Sequence, residues 1–363
     1  MALGGGGFTA QNKVLPGAYI NFIATNVANA TIAERGLAGI AVTFGGSATA
    51  TKAFYTVDAA EFYRSGASLF GLATTSDDYI AIAEILTHAV RCVVFNLGSV
   101  TGDGVTAAEQ HAAAMSIFQT QGVNAVAVNS TEETIIAAYA AWAVSCRDTY
   151  GIKLQVVVPF VSAIAADATS ITNTYDSMAV ITVEYTDLVP WVAGYTAGLA
   201  AGRSALNKPY DGQQTVTDFF VEHTQASLEA IETAGIFTIH RVGDSFRVLA
   251  DINSMRTDTA TQDADVFKLN SIVRTIDTIA ASVAAEFADN YLGAVPNDAA
   301  GRASFKQSVL DIFEDISDIR AIEAVDPDDV AVSEGESTEN VVVDCVITVT
   351  GTMAKLYMTC NIA

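Results

Sequence analysis

The chain has 363 residues, 51% hydrophobic and 16% charged, which is room for two or three domains with sizeable cores and excludes a disordered protein. Its 18 basic and 41 acidic residues give a formal charge of -23. That balance argues against a phosphate-binding surface, so direct contact with nucleic acid is not expected.

Met1-Ala2-Leu3-Gly4 lacks the basic and apolar regions of a signal peptide, and the longest apolar runs fall short of the roughly 18 to 20 residues of a membrane span. The expectation is a protein made and folded in a cytoplasm, with no membrane insertion. Residues 1–23 read as an extended arm: Gly4 to Gly7 form a flexible tether, and Val14 to Ile23 a strand-like run. A small β-containing region is expected over 24–90. In it Asp58 and Glu61 have the spacing of a helix N-cap and its third-position carboxylate, and a second helix is predicted from Ser76 to Ala89.

From Arg91 the pattern alternates. Strands are predicted at Cys92–Leu97, Asn124–Val128, Leu154–Val158 and Met178–Tyr185, with helices at Thr106–Gln121 and Ser130–Tyr150 between them. Thr106-x-x-Glu109 and Ser130-x-x-Glu133 both have capping-box spacing. This alternation predicts an α/β domain over 91–210 around a mixed, largely parallel sheet. Its last helix carries Gly194, Gly198 and Gly202 four apart, a smooth ridge for close approach to another backbone, in the same subunit or another.

An α+β domain is expected over 211–340. It opens with a helix from Ser227 to Ala234 stopped by Gly235 and a hairpin of Ile236–His240 with Phe246–Ile252 about Gly243-Asp244. Two amphipathic helices follow, one with Leu269, Ile272, Ile276, Ile279, Val283 and Phe287 on its apolar face, the other with Phe305, Val309, Ile312, Ile316 and Ile319. The acidic stretch from Asp326 to Glu339 lacks the ligand spacing of a calcium loop and reads as a solvated loop.

Residues 341–363 read as a second β arm. Val341, Val343, Cys345, Ile347 and Val349 share one face, and after Thr350-Gly351-Thr352 the alternation resumes with Leu356, Met358, Cys360 and Ile362 opposite Lys355, Tyr357 and Thr359. Such a strand either joins its own sheet or is lent to the edge of another molecule.

Little points to catalysis. Gly102-Asp103-Gly104-Val105-Thr106-Ala107 resembles a dinucleotide loop, which leaves a soluble nucleotide-binding α/β enzyme as the alternative reading. The loop from Gly98 is long for such a site, and no acid follows the second strand to hold a ribose. His88, His111, His223 and His240 lack metal spacing, and Cys92, Cys146, Cys345 and Cys360 form no CxxC pair and read as small hydrophobes. No catalytic residue, metal or cofactor is assigned.

Several ordered stretches carry a family resemblance: Leu15-Pro16-Gly17-Ala18-Tyr19-Ile20, Trp191 to Gly198, Arg247 to Ser254, Val273 to Asp277, Tyr291 to Asn297 with Gly301-Arg302, Asp328-Asp329-Val330, and Lys355-Leu356-Tyr357-Met358. Together they resemble the contractile tail sheath proteins of bacteriophages and phage-derived particles such as R-type bacteriocins. The resemblance implies a non-enzymatic structural protein, stacked as hexameric rings around an inner tail tube, that contracts on a signal from a baseplate. It implies partners in the tube, baseplate and tail terminator proteins, assembly in the bacterial cytoplasm, and arms over Pro16–Ile20 and Lys355–Ile362 that extend sheets of neighbouring copies. Arg274, Asp277 and Arg302 match the family pattern and are expected either in ion pairs, within or between subunits, or on a solvated helix face.

Overall fold

The computed structural model describes residues 35–99, 104–260 and 262–360. Pro16, Gly17, Ala18, Tyr19 and Ile20 lie outside the described residues, as do Gly102, Asp103 and Ile362.

The strands β1 (Leu37–Val42), β2 (Phe54–Asp58), β3 (Arg91–Asn96), β4 (Ala125–Ala127), β5 (Gln155–Pro159), β6 (Val180–Val183) and β7 (Ile236–Phe237) form one sheet in the order β2-β3-β1-β4-β5-β6-β7. Every neighbouring pair is parallel except β2 with β3. The sheet crosses the expected boundaries at 90/91 and 210/211: β1, from the stretch read as a small separate region, sits between β3 and β4, and β7 adds an edge strand from beyond residue 210.

Strand alternation sends side chains to two cores. Cys92 and Val94 face one layer with Ile40, Val157 and Ile181, while Val93 and Phe95 face the other with Val126, Val156 and Val158. The first layer is closed by α1 (Ala59–Glu61), α2 (Ala67–Phe70), α3 (Asp77–His88) and α6 (Val189–Gly198). The second is closed by α4 (Ala107–Gln121) and α5 (Glu133–Asp148). Asp58 caps α1 as its spacing predicts, and Thr106 and Glu109 form the reciprocal box at α4. The Ser130 box does not form. Ser130 Oγ instead accepts from the Glu132 amide two residues on (3.2 Å), so the helix starts later and Glu133 becomes its first residue.

After α7 (Gln225–Thr233), Gly235 takes φ 67 as a stop signal, but the expected hairpin divides. Ile236 and Phe237 join the large sheet, and only β8 (Ile239–Val242) pairs with β9 (Ser245–Val248) around Gly243 at φ 61. Beyond the short α8 (Ala264–Phe267) come α9 (Asn270–Glu286) and α10 (Ala299–Asp318), packed through Ile279, Phe305, Val309, Ile312 and Ile316. On α10 lies a two-stranded antiparallel sheet of β10 (Val330–Glu334) and β11 (Val341–Cys345). The acidic stretch is therefore not all loop. Val330 is buried and Val332 half-buried against this core, which pulls 330–334 into a strand whose intervening residues remain exposed.

The glycine ridge packs within the subunit. A methyl on Gly194 would overlap the Ile85 carbonyl, and one on Gly198 the His88 carbonyl, so α6 approaches α3 backbone to backbone. Gly202 is not on that helix: α6 ends at Gly198, and Gly202 takes φ 70 against Ala321.

A buried polar seam joins the large sheet to α9. Arg147 on α5 makes a two-pronged pair with Asp277 (2.6 and 2.8 Å), and Arg274 pairs with Asp251 while donating to the Arg203 carbonyl (2.8 Å). Asn270 bridges Asp251 and Gln155, and Thr275 accepts from the Gly202 amide. Arg274 and Asp277 are 0% and 3% exposed, so the solvated-face alternative is excluded for both.

Two outcomes are expected in urea or thermal unfolding of the subunit. Gly194→Ala and Gly198→Ala each destabilise by about 1 to 3 kcal/mol, since the clash is with backbone that has no rotamer to change. Asp277→Ala costs about 3 to 5 kcal/mol because it strands a buried guanidinium, whereas an apolar replacement of both Arg147 and Asp277 costs much less.

Candidate functional site

The predicted C-terminal arm divides at the break its sequence marks. Up to Thr350 the chain is held by its own body. Val341, Val343, Cys345 and Val349 pack partly buried on the α9–α10 core, and Ile347 is fully inside it. Val349 bridges Ile322, Glu323 donates to the Thr348 carbonyl (2.9 Å), and Thr350 donates to the Ala321 carbonyl (3.0 Å). Burial lifts the Cys345 thiol to about 12, as suits a small core hydrophobe.

From Gly351 to Cys360 the chain is exposed at every residue, without regular secondary structure. Among the described residues nothing pairs with its backbone. Its apolar side chains are bare as well: Met353 is 101% exposed, Leu356 87%, Tyr357 88% and Met358 76%. Lys355 and Cys360 are exposed with them. Surface methionines and leucines are ordinary one at a time, whereas here four large apolar side chains are exposed within six residues of chain. The segment leaves the body beside a recess of about 310 Å³ lined by Tyr195, Leu199, Arg203, Lys208, Thr352 and Met353.

The expected site residues fall into separate places. Arg274 and Asp277 belong to the buried seam. Arg302 lies on α10, where it donates to the Asn297 carbonyl and side chain (3.0 and 2.9 Å) and stands 3.5 Å from Glu334. Asn297 in turn donates to the carbonyls of Thr338 and Asn340, so these residues tie the turn between β10 and β11 to the start of α10. All three charged residues thus make ion pairs within the subunit.

Other polar groups serve the fold. Buried His223 stands 2.6 Å from Glu184 through Nε2 and 3.1 Å from Ser227 Oγ through Nδ1. The order resembles a hydrolytic triad, but Ser227 is 0% exposed and no substrate reaches it. Glu84 is buried on α3, and although it accepts from Tyr210, Gln213 and Gln214, desolvation raises its pKa. Sequence reasoning missed these carboxylates because their partners lie 39 to 130 residues away in the chain. Of the nucleotide-like loop, Gly104 is exposed at φ 91 and Thr106 serves as the cap of α4, and nothing supports the enzyme alternative. Among the described residues no cluster of His, Cys, Asp or Glu has metal-binding geometry, and no helix is long and apolar enough to cross a membrane.

Residues 103–254 match the phage tail sheath protein central domain, and residues 262–363 match the phage tail sheath C-terminal domain. Comparison with curated protein sequences finds no match. Among solved structures, the sheath tail protein of Desulfitobacterium hafniense superposes with a TM-score of 0.73 at 19% identity, over 94% of this chain and 99% of that one. A sheath tail protein of Listeria innocua gives 0.72 at 14% identity, over 91% and 95%. The helical sheath of the anti-feeding prophage in its contracted state gives 0.65 at 14% identity, over 96% and 100%. At these identities the structures establish a shared fold, and the two domain matches establish the family. The chain belongs to the phage tail sheath protein family and is a structural subunit of the sheath.

Proposed function

We propose that this subunit polymerises as stacked hexameric rings around an inner tail tube and contracts to drive the tube through a cell envelope, without catalysing a reaction. The observation that carries the reading is the segment 351–360, an alternating sequence left exposed with no backbone partner among the described residues. It binds by adding a strand to a neighbouring copy, and the glycine-tethered run over 14–23 does the same from the other end. Each backbone hydrogen bond so formed is worth about 0.5 to 1.5 kcal/mol, and burying Leu356 or Met358 adds about 1.5 to 3 kcal/mol each. Several such bonds link copies while leaving the bodies free to rotate about the joint at Thr350.

The anti-feeding prophage relatives, described as a contracted helical sheath and as parts of a baseplate, support polymerisation within a tail complex that includes a baseplate. An inner tube and a tail terminator complete the proposed set of partners. Assembly takes place in the bacterial cytoplasm, and the product is the sheath of a phage or phage-derived particle.

Negative-stain electron microscopy of the purified full chain is expected to show hollow tubes, and a chain ending at Thr350 is expected to show none. The truncated chain is expected to melt with the full-length subunit, since residues 351–360 are exposed throughout. Tubes of equal yield from both would refute the essential strand.

A further inference from the structure

Charge along this chain is segregated as sharply as its folding. All 41 acidic residues fall between Glu34 and Asp344. Residues 1–33 hold Lys13 and residues 346–363 hold Lys355, with no acid in either stretch. The segment between, residues 321–345, is the reverse. It contains Glu323, Asp326, Asp328, Asp329, Glu334, Glu336, Glu339 and Asp344 and no lysine or arginine. All eight acids are exposed, on or beside the β10–β11 sheet. The junction from acid-only to acid-free chain falls at the end of β11, six residues before the exposed segment begins at Gly351.

Two like-charged bodies repel, so a strand exchanged between them docks best where its own charge is opposite to the rim it meets. Among the described residues three sheets offer open edges. The β8–β9 hairpin carries Arg241 and Arg247 and has Pro209 bridged to Arg247 along β9. The edge strand β2 follows Lys52, and β7 at the opposite edge is two residues long. The strands β10 and β11 carry carboxylates and no basic residue of their own; Arg302 of α10 stands beside Glu334 at the turn end, and at the other end Asp329 and Asp344 flank the paired residues Val330 and Cys345.

Resting on the proposed function, we infer that Lys355 sets where and in which register the lent segment docks, by pairing with the acidic rim of the β10–β11 sheet on a second copy of this chain. Lys355 is exposed and packs on nothing in its own subunit, so its charge is available for that contact. A pairing at the rim of a shared strand is partly screened, and the link weakens as salt rises.

The test is the yield of pelletable tubes from the full-length protein, with melting of the subunit as the folding control. Lys355→Glu is expected to lower tube yield at least tenfold without moving the melting temperature, and Lys355→Arg to retain it. Adding Asp329→Lys and Asp344→Lys to Lys355→Glu is expected to restore tubes, and raising NaCl from about 0.05 to 0.5 M to reduce wild-type yield more than that of Lys355→Ala. Wild-type yield and salt response in Lys355→Glu would overturn this inference and leave the sheath assignment standing. A loss that the reversed rim does not repair would also overturn it. Wild-type protein that forms no tubes at any salt would overturn the proposed polymer and this contact together.

Discussion

A β strand is not complete by itself: its amides and carbonyls point sideways, and its apolar face needs a surface. In this subunit that requirement is met up to Thr350 and unmet from Gly351 to Cys360. Other features of the molecule become intelligible from that division. A body that lends a strand must hold the strand's root firmly, and the root is held by Ile347 in the α9–α10 core and by backbone bonds to 321–323. It must also stay rigid under load, which suits a central sheet covered on both faces and joined to α9 by paired, buried charges.

The seam shows how that rigidity is obtained and what it costs. Arg147, Arg274, Asp251 and Asp277 are nearly removed from water, where ion pairs contribute little net stability over apolar packing. What they contribute is a defined geometry, because Arg147 meets Asp277 through two parallel bonds and Arg274 Nη2 is shared between Asp251 and the Arg203 carbonyl. Positive charge is also crowded there. Burial lowers Arg35 to about 10 and Lys153 to about 8, with Arg147 adding to the effect on Lys153. The Arg147–Asp277 pair fixes the position of α5 relative to α9.

Much of this was legible from residue patterns, and the failures have identifiable causes. The continuous apolar run Cys92–Leu97 and the period-two run Val341–Val349 located β3 and β11, and the Thr350-Gly351-Thr352 break marked where the body ends. The central position of β1 was not legible, since the order of parallel strands depends on crossovers and not on the strand itself. Ser130 misled because a hydroxyl can bond two residues ahead as readily as three. On α9 the apolar stripe was read correctly, yet Arg274 and Asp277 opposite it are also buried, because that face meets a second body. An amphipathic pattern identifies one buried side and says nothing of what covers the other. The β10 strand hid inside an acidic run whose exposed residues outnumber its two inward valines.

The central claim is that residues 351–360 gain a strand partner only in the polymer. Hydrogen–deuterium exchange followed by mass spectrometry tests it most directly, comparing the dissociated subunit with assembled tubes. The account predicts exchange at the unprotected rate for these amides in the subunit and strong protection in the tube, while 341–349 is protected in both. Equal, rapid exchange of 351–360 in subunit and tube would contradict it.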